Sequence, residues 1–407
     1  MSSRDLERFI SLLPTLEHRR AVPLYDSLIK DPLNAGPILD ALLYTASSHD
    51  DPQLHTPHGL LTAWSARELL GLTRPPGGLP LLRFLVLYNF SLKKSPLKPS
   101  QAEAAAQAVP RADLEELSLA YRRALEKNLA SQAGALLSRV ALDHGLQAAG
   151  HLAVRASLDD LGRLGHNLVM AIAYVQTAEA VGLPRAFLPL MSLARVQASA
   201  LSRVPPAAIP ERFDQGSGEP DVARLNDLVV EGAFDHVEAV LQALVFRGMA
   251  EEAYRPLLIA TGADPGFLGH TLQLVHCARL GTRYLTPSEN VWLAWKLYRT
   301  LTGRFGYPEF FRMGRPVVAE SDSVLAALES SLRYKSPPAE ATVRQALEAG
   351  VPLERILAKV VDAYGLWTVG EKEHTISYLN AALQTAKFLG TEQALLPLAI
   401  ALGKLPF

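Results

Sequence analysis

A histidine followed by Thr or Asn, then by a helix-like stretch, recurs at a nearly fixed interval: His55-Thr56, His166-Asn167, His270-Thr271 and His374-Thr375. The starts lie 111, 104 and 104 residues apart. In three copies a glycine follows sixteen residues later, at Gly71, Gly182 and Gly390, and the looser copy has Thr286 there. With only 11 histidines in 407 residues, such a series marks an internal repeat. Stacked repeats share one continuous core. The chain therefore reads as a single repeat domain over 1–407, with limits near 1–105, 106–212, 213–315 and 316–407.

The apolar period is close to 3.6 nearly throughout, as in Leu114, Leu117, Tyr121, Ala124 and Leu125, and no strand-and-hairpin pattern interrupts it. Pro and Gly clusters punctuate it at 75–78, 205–206, 216–218 and 337–338. The expected fold is all-α, with roughly four helices per repeat and about sixteen in all. They are arranged either as a curved α-α superhelix or as a closed helical toroid around a histidine-lined cavity. Expected helices include Leu168–Val181, Arg185–Leu201, Val222–Glu231, Asp235–Arg247 and Ser288–Leu301.

Composition narrows the function. A net charge of −1 with no basic stripe argues against nucleic acid. No apolar run of about 18 residues suggests a membrane span, and the start Met1-Ser2-Ser3-Arg4-Asp5 has no apolar signal segment. A cytoplasmic protein is the expectation. The single Cys277 excludes an intrachain disulfide and cysteine-rich metal sites, and its apolar neighbours suit a buried, inert thiol. Phosphate loops, dinucleotide fingerprints, HExxH and nucleophile elbows are absent.

Two accounts of the histidines compete. In the structural one, Thr56, Asn167, Thr271 and Thr375 are N-caps. Each histidine then sits just before the cap and packs on Leu60, Ala171, Val275 or Leu379 as a hydrophobic staple. In the chemical one, imidazole supplies a base near neutrality or a metal-binding nitrogen. Equivalent positions would then bring His55, His58, His166, His270 and His374 to one site, as catalytic groups or as ligands if a metal binds. A single ion can serve them only if the repeats close, because an open solenoid separates equivalent positions by about 20 Å on helix spacings of about 10 Å. Trp64, Tyr174, His276 and Tyr378, on the same helices, are candidates for the substrate pocket or for plain core. Arg67, Arg279 and Arg283 are candidates for anion contacts or surface ion pairs. Asp50-Asp51, Asp159-Asp160, Asp264 and Glu371 precede the histidines and could orient them.

The segment Leu54-His55-Thr56-Pro57-His58-Gly59-Leu60-Leu61 resembles the HxxHxLL-type segment of the questin oxidase-like family. Gly165-His166-Asn167-Leu168 with Ala173-Tyr174 resembles its next histidine helix, and Glu373-His374-Thr375-Ile376 its late one, in the same order. The second copy has Leu168-Val169 where the family places a further histidine. The resemblance implies an oxidoreductase that opens an aromatic, polyketide-type ring by Baeyer–Villiger-type oxygen insertion with NADPH, and it carries over to His55, His58, His166 and His374. NADPH is thus what the resemblance implies, while the histidines themselves leave a metal ion open. They also leave open a peptide- or protein-binding helical scaffold and a haem- or metal-binding carrier. The expected partner is a small hydrophobic or aromatic ligand, with the oligomeric state open.

Overall fold

The computed structural model describes residues 3–15, 17–49, 58–73, 77–93, 99–214, 219–305, 321–334, 338–365, 372–391 and 393–404. Among them the chain is all-helical, with 21 α-helices and no strand. Within the four expected segments there are six, five, five and five helices, rather than four each. The excess has a local cause. Around residue 145 the apolar period runs on, but Gly145 at φ +89° ends Ala130–His144 and starts Leu146–Ser157. A left-handed backbone there turns the chain where side-chain pattern alone reads straight through.

Two kinds of helix build the core. Leu114–Glu126 is a surface helix: Leu117, Tyr121, Ala124 and Leu125 are buried, and Asp113 caps it by accepting from the Glu116 N–H at 2.8 Å. His166–Val181 is different, with every residue from Asn167 to Val175 buried. A helix apolar all round belongs inside. His58–Leu70, His270–Gly281 and Lys372–Leu389, the other three histidine-bearing helices, are likewise largely buried.

These four histidine helices pack in cyclic order. The first packs on the second, the second on the third, the third on the fourth, and the fourth back on the first. Three hydrogen bonds join residues 104 positions apart: His166 to His270, Gln273 to Ser377, and Arg283 to Glu179. Outside them lie paired helices in matching places. His18–Leu28 packs on Leu79–Ser91, Ala130–His144 on Phe187–Leu201, Phe234–Phe246 on Pro287–Thr300, and Ala339–Glu348 on Leu395–Lys404.

The close approach of the histidine helices depends on glycine. Gly165 and Gly269 are the N-caps of the second and third helices, both left-handed at φ +82° and +79°. A side chain on Gly165 would meet Leu274 of the next helix at 2.8 Å, and one on Gly269 would collide with the ring of Tyr378. The Gly269→Ala variant is expected to lose about 1–2 kcal/mol from the left-handed backbone alone, and more from displacing Tyr378. Urea unfolding measures it, with Gly303→Ala, which meets open space at a conformation without positive φ, as the control.

Candidate functional site

The second and third histidine helices begin with the same seven-residue pattern. Asp160-Leu161-Gly162-Arg163-Leu164-Gly165-His166 matches Asp264-Pro265-Gly266-Phe267-Leu268-Gly269-His270 at the Asp, both Gly, Leu and His positions. Each Asp accepts from the N–H of the first glycine of its pattern, at 2.8 and 3.2 Å. Both leucines are left-handed, at φ +60° and +49°. The chain so wound delivers the histidine as the first helical residue. Asn167 and Thr271 are therefore not caps: Asn167 donates to the Asp160 carbonyl instead, at 2.8 Å. With histidine inside the helix rather than before a cap, the staple arrangement does not form at either site.

The four helices bring four imidazoles into mutual contact. Ring centroids are separated by 5.6 Å for His58–His166, 4.9 Å for His166–His270, 5.0 Å for His270–His374 and 4.9 Å for His374–His58. The histidine of the first helix is thus His58, its first residue. His55, the expected register of that copy, lies outside the described residues. The spacing is then 108, 104 and 104 residues. His58 and His270 are buried, whereas His166 and His374 are partly exposed, so one side of the cluster reaches the surface.

Hydrogen bonds assign the ring nitrogens in part. His270 Nδ1–H donates to the Phe267 carbonyl at 2.6 Å, which leaves its Nε2 as an acceptor. His166 Nε2–H donates to that nitrogen at 3.1 Å. Burial, followed by the neighbouring His270, His58 and His374, lowers His166 to about 4. Burial lowers His270 as well, against the opposing Phe267 carbonyl bond. The positive ends of helices, gathered at the cluster, act in the same direction. Both rings are neutral at pH 7 with lone pairs available. Among the described residues, no three His, Cys, Asp or Glu side chains stand ready-set around a metal position.

The other candidates separate. His276 is fully buried and meets Trp64, on the first helix, at a centroid distance of 6.5 Å. Trp64 Nε1–H donates to Gln176 at 3.0 Å. Trp64 and His276 are both buried, each six residues further along its helix than His58 or His270. Tyr378 is buried against Gly269, and Tyr174 is core. Arg67 pairs with Glu68, Arg279 with Glu251 and Arg283 with Glu179, so the arginines are ion-pair residues. The acidic residues do not orient the histidines either. Asp159 bridges Arg122 and Arg155 and accepts from the Ala207 N–H, while Asp160 and Asp264 hold their loops. Asp50, Asp51 and Glu371 lie outside the described residues. His49 has a role that sequence did not disclose: its Nδ1 accepts from the Gly59 N–H at 3.0 Å, in contact that any side chain on Gly59 would block. Cys277 is buried, with its thiol pushed up by desolvation, as its neighbours implied.

Comparison with protein families, with curated proteins and with solved structures finds no match. No helix of the described residues is long and apolar enough to cross a membrane.

The depressed histidines fix the sign of a pH effect. The folded state holds His166 neutral down to about pH 4, whereas in the unfolded chain it protonates near 6.5. Between these values the unfolded state binds more protons, so stability is present above pH 6.5 and falls as pH drops toward 4. The expected loss from His166 is about 1–2 kcal/mol once its partial exposure is allowed for, with His270 adding in the same direction. Thermal midpoints at pH 7.5, 6.0 and 5.0 measure it. A midpoint that holds steady or rises on acidification would contradict the neutral cluster.

Proposed function

We propose that the chain is a ring of four repeats, each contributing one histidine to a shared centre, and that this centre is the transition-metal site of a questin oxidase-like oxidoreductase. The observation that carries this is the closed circuit of imidazole contacts from His58 through His166 and His270 to His374 and back.

Magnitudes favour ligands over bases. A histidine at about 4 is a weak proton acceptor at neutral pH, and general bases work best near the operating pH. The same depression favours metal binding, because protons no longer compete for the lone pair. The distances also fit. Imidazoles bound through Nε2 at about 2.0–2.1 Å place neighbouring ring centroids about 4.5 Å apart in a square plane and about 5.2 Å apart in a tetrahedron. The cluster spans 4.9 to 5.6 Å. His270 already has the second hydrogen bond, Nδ1–H to a carbonyl, that orients metal-bound histidines. Breaking the His166–His270 hydrogen bond, with the His166 proton moved from Nε2 to Nδ1, would let small ring rotations turn Nε2 of both inward. Four imidazole nitrogens suit a first-row divalent ion rather than magnesium or calcium.

Such an ion would supply Lewis-acid polarisation and a binding position for oxygen. The residues supply the rest. His58 and His270 hold the buried side, while His166 and His374 face the approach of a ligand. Phe267, exposed and nearly parallel to the His270 ring, offers an aromatic edge to that approach. An aromatic, polyketide-type substrate with NADPH as reductant follows from the resemblance of the histidine segments, as does a cytoplasmic setting from composition. A protein-binding scaffold accounts less well for four imidazoles in contact, because separate packing roles would not bring them together.

Elemental analysis of the purified chain, and titration of metal-free chain with Co2+ read by its visible absorption, test the centre. About one ion per chain is expected, with a thermal midpoint that rises on loading. His270→Ala and His166→Ala are each expected to weaken binding at least tenfold while the fold persists. Unchanged binding in both variants would remove the metal reading. Oxygen uptake with hydroxylated anthraquinones, with and without NADPH, then tests the substrate class.

A further inference from the structure

The interior of the ring below the histidines is more polar than a core needs. His276 lies six residues beyond His270, about 9 Å further along the axis, and neither of its ring nitrogens has a protein hydrogen-bond partner. Asn380 occupies the same register six residues after His374, is 1% exposed, and its Oδ1 has no partner. Ser65, seven residues after His58, is 0% exposed with an unpartnered hydroxyl. Native cores leave few such atoms without a partner. Ile172 stands at the same register of the second helix, so an aliphatic residue fits this level of the ring. His276 and Trp64 come from helices that are not neighbours in the cyclic order, so both side chains reach into the interior.

At the register three residues past each histidine the polarity is uneven. Between the histidines and this level the third and fourth helices carry Gln273 and Ser377, joined at 3.0 Å, whereas the first and second carry Leu61 and Val169. We propose that the ring encloses a second site, a small buried water cluster held by His276 of the third helix, Asn380 of the fourth and Ser65 of the first, beneath the inner face of the four-histidine centre. Neutral donors and acceptors with no charged side chain among them suit water rather than an ion. The water bridges the unpartnered atoms, and the Gln273–Ser377 pair continues the polar path toward the centre.

The test uses metal-free chain, so it is indifferent to whether the four-histidine centre binds an ion or turns over a substrate. Oxygen-17 and deuteron relaxation dispersion count internal waters that exchange slowly. His276→Leu and Asn380→Leu are each expected to lose at least one such water, and His276→Gln, which keeps donor and acceptor, to retain it. His276→Leu is also expected to lower the thermal midpoint, because the water and Asn380 lose a partner. If His276→Leu does not fold, Asn380→Leu against His276→Gln carries the same comparison. Equal water counts in wild type and Asn380→Leu would overturn the proposal. So would a higher midpoint in His276→Leu, since a dry, unpartnered imidazole is improved by an apolar replacement.

Discussion

Four imidazoles touch because two glycines let helix starts crowd together. Gly165 and Gly269 lack the Cβ that Leu274 and Tyr378 would strike, and each adopts a backbone that other residues resist. From that approach follow the histidine contacts, the burial of the helices behind them and the neutral state of His166 and His270. Crowded imidazoles cannot all carry protons, and helix starts already present positive partial charge. The cluster is therefore poised as a set of electron-pair donors.

The positions of the later histidine helices were legible in sequence, because 104 residues separate His166, His270 and His374. The fold class was equally plain, since helical periodicity ran almost unbroken. The register of the first copy was not. His55 and His58 lie three residues apart in the sequence, and the flanking Thr56 matched Thr271 and Thr375 better than Gly59 did. Only the contacts among rings show that Gly59 stands where Thr and Asn stand elsewhere.

The helix starts were misread for a physical reason. Thr and Asn are good caps, but a glycine in the left-handed region ended the preceding turn first and moved the boundary back by two residues. The signal existed, as the matched Asp-x-Gly-x-Leu-Gly-His segments at 160–166 and 264–270. Two leucines held at positive φ in those segments mark backbone strain kept beside a candidate site, a common association. His49 and the buried polar level at His276 and Asn380 could not have been read in advance. The His49–Gly59 bond spans only ten residues but follows no periodic pattern, whereas the surroundings of His276 and Asn380 are set by distant parts of the chain, such as Trp64 against His276.

The fourth histidine helix closes on the first through His374 with His58, and through Gln384 with the Glu68 carbonyl across 316 residues of chain. Neighbouring pairs along the sequence can form early, but this last seam is among the most non-local contacts in the molecule. Chain synthesis is vectorial, and contacts of large separation form late. Until residue 374 has left the ribosome, three imidazoles have an open side, and the part of His58–Leu70 that meets the fourth histidine helix has no cover. A nascent chain thus exposes apolar surface along one edge for most of its synthesis. Completion of the centre and removal of that hazard are the same event.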